Sequence, residues 1–330
     1  MSKYLRIAVS AALLSWVAWK TDWVQLVEAF AGLRIDLWLA ALAILVVCQL
    51  ASARRWQVLA RELRFERSLA QMTGYYFIGM YFSLLLPTSV GGDVMRAWYL
   101  DGGSGRKLGA FAAVLLDRLN GLLVLIVMAC LAVVLSPTEL PAAIVWSVWS
   151  VAAAAALGVA ALPVLQRFKL VPAARRQQLQ TMIQALRAPR ALLEATVWSA
   201  VVQVGNVLLV WLIGLALGIA VPLSYYFVFV PMVSLLTLLP ISVAGTGVRE
   251  ESVARFLAPL AISPTLATTL SLAWFAVFAA VGLFGGVVYL CGAYPKPVSA
   301  RRDPAEVPEA HGTFSGYPDQ GRAGQLDEAA

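Results

Sequence analysis

The chain carries little of what does chemistry in water. It has one histidine, three cysteines and 13% charged residues in 330, where an ordinary soluble domain is roughly 25% charged. His311 lies in a polar segment, and Cys48, Cys130 and Cys291 each sit inside an apolar run. That pattern excludes a His/Cys metal centre and argues against disulfides. No metal or other cofactor is expected. No phosphate loop of the form G-x-x-x-x-G-K-S/T occurs, so any energy for work must come from gradients or from lipid supply. The net charge of +7 does not point to nucleic acid. Basic residues cluster at the ends of apolar runs, where they orient a membrane protein and meet anionic headgroups.

What is there is apolar length. Hydrophobic residues make up 61%, and residues 195–248 and 256–295 contain no Asp, Glu, Lys or Arg. Runs of 18 or more such residues read as membrane spans. The expected fold is an all-α polytopic membrane protein with about six transmembrane helices, at 7–19, 38–52, 108–135, 142–165, 191–219 and 265–292. The first is expected to be a retained signal anchor, because no small-x-small cleavage site precedes Lys20 and Trp19 is unsuited to one. Arg54, Arg55, Arg61, Arg64 and Arg67 follow the second span, and the loop 166–190 holds six cations and no acid. Both mark the cytoplasmic side of a bacterial inner membrane, which puts the N-terminus inside as well.

Two further apolar runs, 72–86 and 225–239, are only about fifteen residues long, short for a span. If 72–86 crossed, Arg96, Arg106 and Lys107 would lie outside. If 225–239 crossed, the tail with Lys296, Arg301 and Arg302 would lie outside. Treating both as re-entrant, from opposite faces, keeps every cationic segment inside. The membrane domain then covers 1–295. The remaining 296–330, rich in Pro, Gly, Ala and charge, is expected to be a disordered cytoplasmic tail.

Each short run ends in the same motif, P-x-S-V-x-G-x-x-x-R. One copy runs from Pro87 through Ser89, Val90 and Gly92 to Arg96, and the other from Pro240 through Ser242, Val243 and Gly245 to Arg249, 153 residues on. The unit span, hairpin, span recurs at about 37–136 and 191–292. An inverted repeat with broken helices is the signature of a transporter whose site lies near the midplane. Proline ends the descending half-helix, glycine permits a sharp reversal, and serine caps the next half-helix. The freed N–H groups favour an anion, and Arg96 and Arg249 add a forked donor suited to phosphate. Ordinary loop glycines, capping serines and interfacial arginines are the plain alternative.

Asp117-Arg118 sits nine or ten residues into the third span, a depth at which charges usually mark a pathway. It lies instead at the interface if the span starts at Leu119, and the sequence leaves both open. Glu250, after Arg249, is a candidate counter-charge or proton carrier. Arg55-Trp56 reads as an interfacial anchor, and Tyr75, Tyr76, Tyr81, Tyr225 and Tyr226 as packing and belt residues. The candidate headgroup-binding set is therefore Ser89, Gly92, Arg96, Asp117, Arg118, Ser242, Gly245, Arg249 and Glu250.

The first motif with Arg96, the Arg55-Trp56 and Asp117-Arg118 pairs and the turn Gly245-Thr246-Gly247-Val248-Arg249-Glu250 together resemble the flippase-like transmembrane domain of lysylphosphatidylglycerol synthases, over about residues 1–295. Stand-alone bacterial and archaeal proteins share that domain. The resemblance implies translocation of a lipid, such as an aminoacylated phosphatidylglycerol, with Arg96, Asp117, Arg118, Arg249 and Glu250 handling the headgroup. The large soluble aminoacyltransferase domain of two-domain members has no counterpart in the sequence, so lysyl transfer by this chain is not expected. The expected role is flipping of an anionic phospholipid or other lipid phosphate, without enzymatic activity. Its partners would be membrane lipids and a lipid-synthesis enzyme. The alternatives are a non-transporting partner or regulator of a lipid synthase, and a membrane glycosyl- or acyltransferase.

Overall fold

A computed structural model of the chain describes residues 24, 27–28, 31–85, 91–135, 140–167, 188–238 and 247–291. Nine α-helices have both bounds among them: α1 (Ile35–Glu62), α2 (Leu69–Leu85), α3 (Gly91–Asp101), α4 (Lys107–Leu135), α5 (Ala142–Arg167), α6 (Pro189–Ala216), α7 (Leu223–Leu238), α8 (Val248–Leu257) and α9 (Pro264–Leu290). The described residues contain no strand. Four helices, α1, α4, α6 and α9, are long and apolar enough to cross a membrane. At 1.5 Å per residue each is roughly 40 Å long, against about 30 Å of hydrocarbon. The expected span at 7–19 and the tail at 296–330 lie outside the described residues.

Local chemistry sets the helix ends. Pro189 and Pro264 occupy first-turn positions, where a missing N–H costs nothing. Ser263 caps α9 by accepting from Leu266 N at 3.2 Å. Gly218, at φ +71°, closes α6, with Ile219 N donating to Gly214 O at 2.8 Å, the Schellman pattern. Arg64 does the same for α1 at φ +61°, unusual for a side-chain-bearing residue. Arg106 then reaches the freed carbonyls of Leu63 and Arg64 at 2.5 and 3.0 Å. The first described span differs from its expected bounds. Nothing between 52 and 62 breaks a helix, so α1 continues to Glu62 and carries Arg54, Arg55 and Arg61 within it.

The helices pair in a pattern with an internal correspondence. α1 packs along α6. Exchanging α1–α4 for α6–α9 turns each remaining pairing of these eight helices into another that is present. Thus α2 with α9 matches α7 with α4, and α2 with α3 matches α7 with α8. Apolar packing divides likewise into two cores. One gathers the second half of α1 with α2, α3 and the start of α4, around Trp56, Met72, Ile78 and Leu100. The other gathers α6, α7, α8 and α9 around Ile213, Phe229, Leu257 and Leu270, and takes in Ala41 and Leu45 of α1, Phe77 of α2, Ala129 of α4 and Val148 of α5.

Small residues make the closest approaches, as expected where lipid supplies no hydrophobic drive between helices. A β-carbon on Gly285 would collide with the backbone carbonyl of Phe77. One on Gly92 would collide with the carbonyl of Gly79 and the hydroxyl of Ser83. Outward, Phe111, Leu115, Leu119, Leu123, Val127 and Leu131 form an exposed apolar stripe at four-residue spacing along α4.

Candidate functional site

A cavity of about 690 Å³ lies where the two sets of helices meet, and eight helices line it. Gln49 and Arg55 come from α1, Tyr76 and Ser83 from α2, Gly92, Asp93 and Arg96 from α3, and Asp117 and Arg118 from α4. Gln203 and Asn206 come from α6, Ser234 and Thr237 from α7, Arg249 from α8, and Trp274, Phe275 and Phe278 from α9. Leu115 and Leu119 belong both to this wall and to the exposed stripe of α4. The cavity thus reaches the apolar outer face of the bundle.

One wall is built on Asp117, which is 0% exposed. Its Oδ1 accepts from Arg55 Nε and its Oδ2 from Arg96 Nη2, both at 2.7 Å. Arg55 also donates to Ser199 Oγ at 3.1 Å. Ser199 donates in turn to Asn120 Oδ1 at 2.5 Å, and Asn120 to Thr196 Oγ1 at 3.1 Å. The polar seam ties α1, α4 and α6 together. Arg96 is held from every side. Its Nη1 lies 3.5 Å from Asp93 Oδ1. Its guanidinium stands 4.3 Å from the Trp56 ring and 4.1 Å from the Tyr76 ring. Those rings meet at 68°, so the cation fills the corner between them. Asp93 also pairs with Arg118 Nε, and the Arg118 side chain is 39% exposed. Arg96 Nε is buried with no hydrogen-bond partner among the described residues, so the corner favours charge and stacking over full hydrogen bonding.

A buried ion pair is expensive to form, and its geometry and added hydrogen bonds decide whether it holds. Here a single carboxylate faces two guanidiniums, and Asp93 supplies the second negative charge. The group Arg55, Arg96, Arg118, Asp93 and Asp117 is then one charge short of neutral.

The opposite wall is different. Arg249 is 9% exposed. The Phe275 ring lies 5.0 Å from its guanidinium carbon, and Glu250 is the described counter-charge that acts on it. No described residue gives it a hydrogen bond or an ion pair. Glu250, next in sequence, turns away from the cavity. Its Oε2 accepts from Gly247 N at 2.6 Å, and its Oε1 accepts from Ser271 Oγ at 3.2 Å. It caps α8, whose first residue follows Gly247 at φ +80°.

Of the residues singled out from sequence, Gly92, Arg96, Asp117, Arg118 and Arg249 therefore line one cavity. Glu250 sits behind it as a cap. Ser89, Ser242 and Gly245 lie outside the described residues. Arg55 and Trp56 are 5% and 0% exposed, which does not suit the interfacial anchor expected of them. They are inside because α1 does not end at Ser52. Tyr76, read as packing, holds Arg96. The sequence calls for a cation near a mid-span carboxylate, but it does not say that Arg55 is the one, because nothing in it shows that the helix continues past Ser52.

The sequence model of one family, the lysylphosphatidylglycerol synthase TM region, matches residues 4–286. No curated protein and no solved structure matches the chain. The matched span takes in α1 to α8 and most of α9, and with them every cavity residue named above. A multi-pass helical bundle around a cavity that carries buried arginines and carboxylates is thus joined to a membrane region associated with a lipid synthase, and the chain belongs to the lysylphosphatidylglycerol synthase TM region family.

Proposed function

We propose that this protein moves a lipid with a phosphate headgroup between the leaflets of a bacterial inner membrane, through the cavity between two inverted units. The observation that carries this reading is Arg249: a buried guanidinium on a cavity wall that makes no ion pair or hydrogen bond with any described residue, with Glu250 as its nearest counter-charge. A buried guanidinium without hydrogen bonds is costly, and a phosphate entering the cavity would relieve it with a forked pair of them. The route past Leu115 and Leu119 leaves acyl chains in the lipid while the headgroup stays inside.

Helix lengths support the re-entrant topology. α2 and α7, of 17 and 16 residues, are roughly 25 Å long, and α3 and α8, of 11 and 10 residues, roughly 16 Å. None of the four crosses about 30 Å of hydrocarbon upright, but each pair could enter and return. The correspondence of pairings between α1–α4 and α6–α9 fits a duplicated unit. With the basic segments inside, both termini are cytoplasmic.

The deciding experiment is reconstitution of the full chain into liposomes with a fluorescent phosphatidylglycerol whose outer-leaflet headgroups are quenched by dithionite. Protein-dependent loss of the protected half is expected, and Arg249→Gln should abolish most of it. If wild-type protein protects the inner pool as empty liposomes do, a non-transporting partner of a lipid-synthesis enzyme becomes the better reading.

A further inference from the structure

The family takes its description from a lipid whose headgroup carries a lysyl group, with two ammonium groups to one phosphate. The cavity in this chain is not built for that charge. Four guanidiniums line it, from Arg55, Arg96, Arg118 and Arg249, against two carboxylates, from Asp93 and Asp117. Both carboxylates are taken. Asp117 has one oxygen on Arg55 and the other on Arg96, and Asp93 has one on Arg96 and the other on Arg118. The remaining nearby acid, Glu250, accepts from Gly247 N and Ser271 Oγ, and its charge acts on Arg249 from outside the cavity lining. An incoming ammonium finds no open carboxylate among the described residues, and it meets Arg249 as a like charge.

Resting on the reading that the cavity receives a lipid phosphate, we infer that it selects by headgroup charge. It accepts net-anionic lipid phosphates at Arg249 and rejects aminoacylated, cationic ones. The two walls divide the work. Asp117 and Asp93 hold three arginines and fix the shape of the site with one positive charge left over, while Arg249, whose nearest counter-charge is Glu250, presents the guanidinium that no carboxylate pairs directly among the described residues. A zwitterionic phospholipid brings one ammonium along with its phosphate and falls between. The rest of the wall near Arg249, Thr237, Ser234 and Asn206, offers neutral hydrogen-bonding groups suited to hydroxyls.

The test is competition among phosphatidylglycerol, phosphatidylethanolamine and lysylphosphatidylglycerol of identical acyl chains, added in equal amounts to the full chain in detergent and read by native mass spectrometry. Phosphatidylglycerol should be retained at least about tenfold over the lysyl lipid, the scale of one uncompensated like charge at a few ångströms in a medium of intermediate polarity, with phosphatidylethanolamine between them. Asn206→Asp, which adds a carboxylate to the wall without adding volume, should raise lysyl-lipid retention. Equal or tighter retention of the lysyl lipid by wild-type protein overturns the inference, whatever the variant does. Competition by free glycerol phosphate at matching concentration would also overturn it, by assigning the site to a soluble anion. Running the same three lipids in liposomes separates the two readings. Selective retention without movement removes translocation and leaves charge selection standing. Equal movement of all three does the reverse.

Discussion

Arg96 and Arg249 occupy the same position in two copies of one motif and line one cavity, yet they stand in opposite states. Arg96 is paired with Asp93 and Asp117 and stacked in the corner of Trp56 and Tyr76. Arg249 has an aromatic neighbour and the charge of Glu250 close by, but no ion pair among the described residues. A duplicated motif therefore yields one arginine that holds the wall and another held ready for an incoming charge. Part of the difference lies within the motif, where Asp93 in one copy stands in the place of Thr246 in the other; the rest lies outside it, since α4 brings Asp117 to one copy while the corresponding helix α9 brings Phe275 to the other.

Substituting the two arginines should separate stability from function. Arg96→Gln leaves Asp117 half-compensated in a buried site, a class of change that costs about 3–5 kcal/mol. Thermal melting of the detergent-solubilised chain should fall by several degrees. Arg249→Gln removes a buried charge that has no described ionic partner, so its melting should match or exceed wild type while lipid movement is lost. Comparable losses of melting temperature for both variants would show that Arg249 is structurally engaged after all.

The pairing of Arg96 with Asp117 can be measured directly. Asp117→Asn leaves Arg55 and Arg96 facing one another with no shared anion. In a double-mutant cycle with Arg96→Gln, the second substitution should cost much less than it does alone, because the charge it removes has already lost its partner. Coupling of about 1–3 kcal/mol, the range for residues in one network, should be recovered from melting or denaturant titration. Strict additivity would mean that the 2.7 Å contact contributes nothing.

Much of this architecture was legible from the sequence because lipid imposes simple rules. Charge-free length marks spans, and the two short apolar runs at 72–86 and 225–239 fall close to α2 and α7. The site was half legible. Gly92, Arg96, Asp117, Arg118 and Arg249 were reachable, since a charge or a repeated Gly in an apolar stretch needs a reason. Arg55 and Trp56 were not, because an arginine just beyond an apolar run looks the same whether the helix stops or continues. The role of Glu250 was equally hidden. A carboxylate three residues after Gly247 can cap a helix or face a cavity, and only its contact with Gly247 N decides.

The hairpin between α2 and α3 should tolerate no side chain where its backbones touch. A β-carbon on Gly92 meets the carbonyl oxygen of Gly79, which is backbone and cannot swing aside. Gly92→Ala should therefore cost about 1–3 kcal/mol, the usual range for overpacking, and lower the melting temperature. Gly158 on α5 has nothing within 4 Å of such a carbon. Gly158→Ala should be neutral or mildly stabilising, because alanine is the better helix former. Equal effects at the two sites would show that the close approach in the hairpin is not kept in solution.

The proposed inverted arrangement makes a sharper demand, because it assigns the two motif copies to access from opposite faces. Single cysteines introduced as Ser89→Cys and Ser242→Cys, in a chain whose Cys48, Cys130 and Cys291 have been replaced by alanine, test this without knowledge of the cargo. A membrane-impermeant maleimide applied to right-side-out and inverted vesicles should label one position from each side. The charge argument fixes the direction. A hairpin that returns to the cytoplasm keeps Arg96, Arg106 and Lys107 inside, whereas the second must return to the periplasm if the tail with Lys296, Arg301 and Arg302 is to stay inside. Pre-incubation with phosphatidylglycerol should slow labelling more at Ser242→Cys than at Ser89→Cys, because Ser242 belongs to the motif copy that carries Arg249. Labelling of both positions from one face would remove the inverted repeat, and with it alternating access through a shared cavity. The paired arginines of the wall would then need a different account.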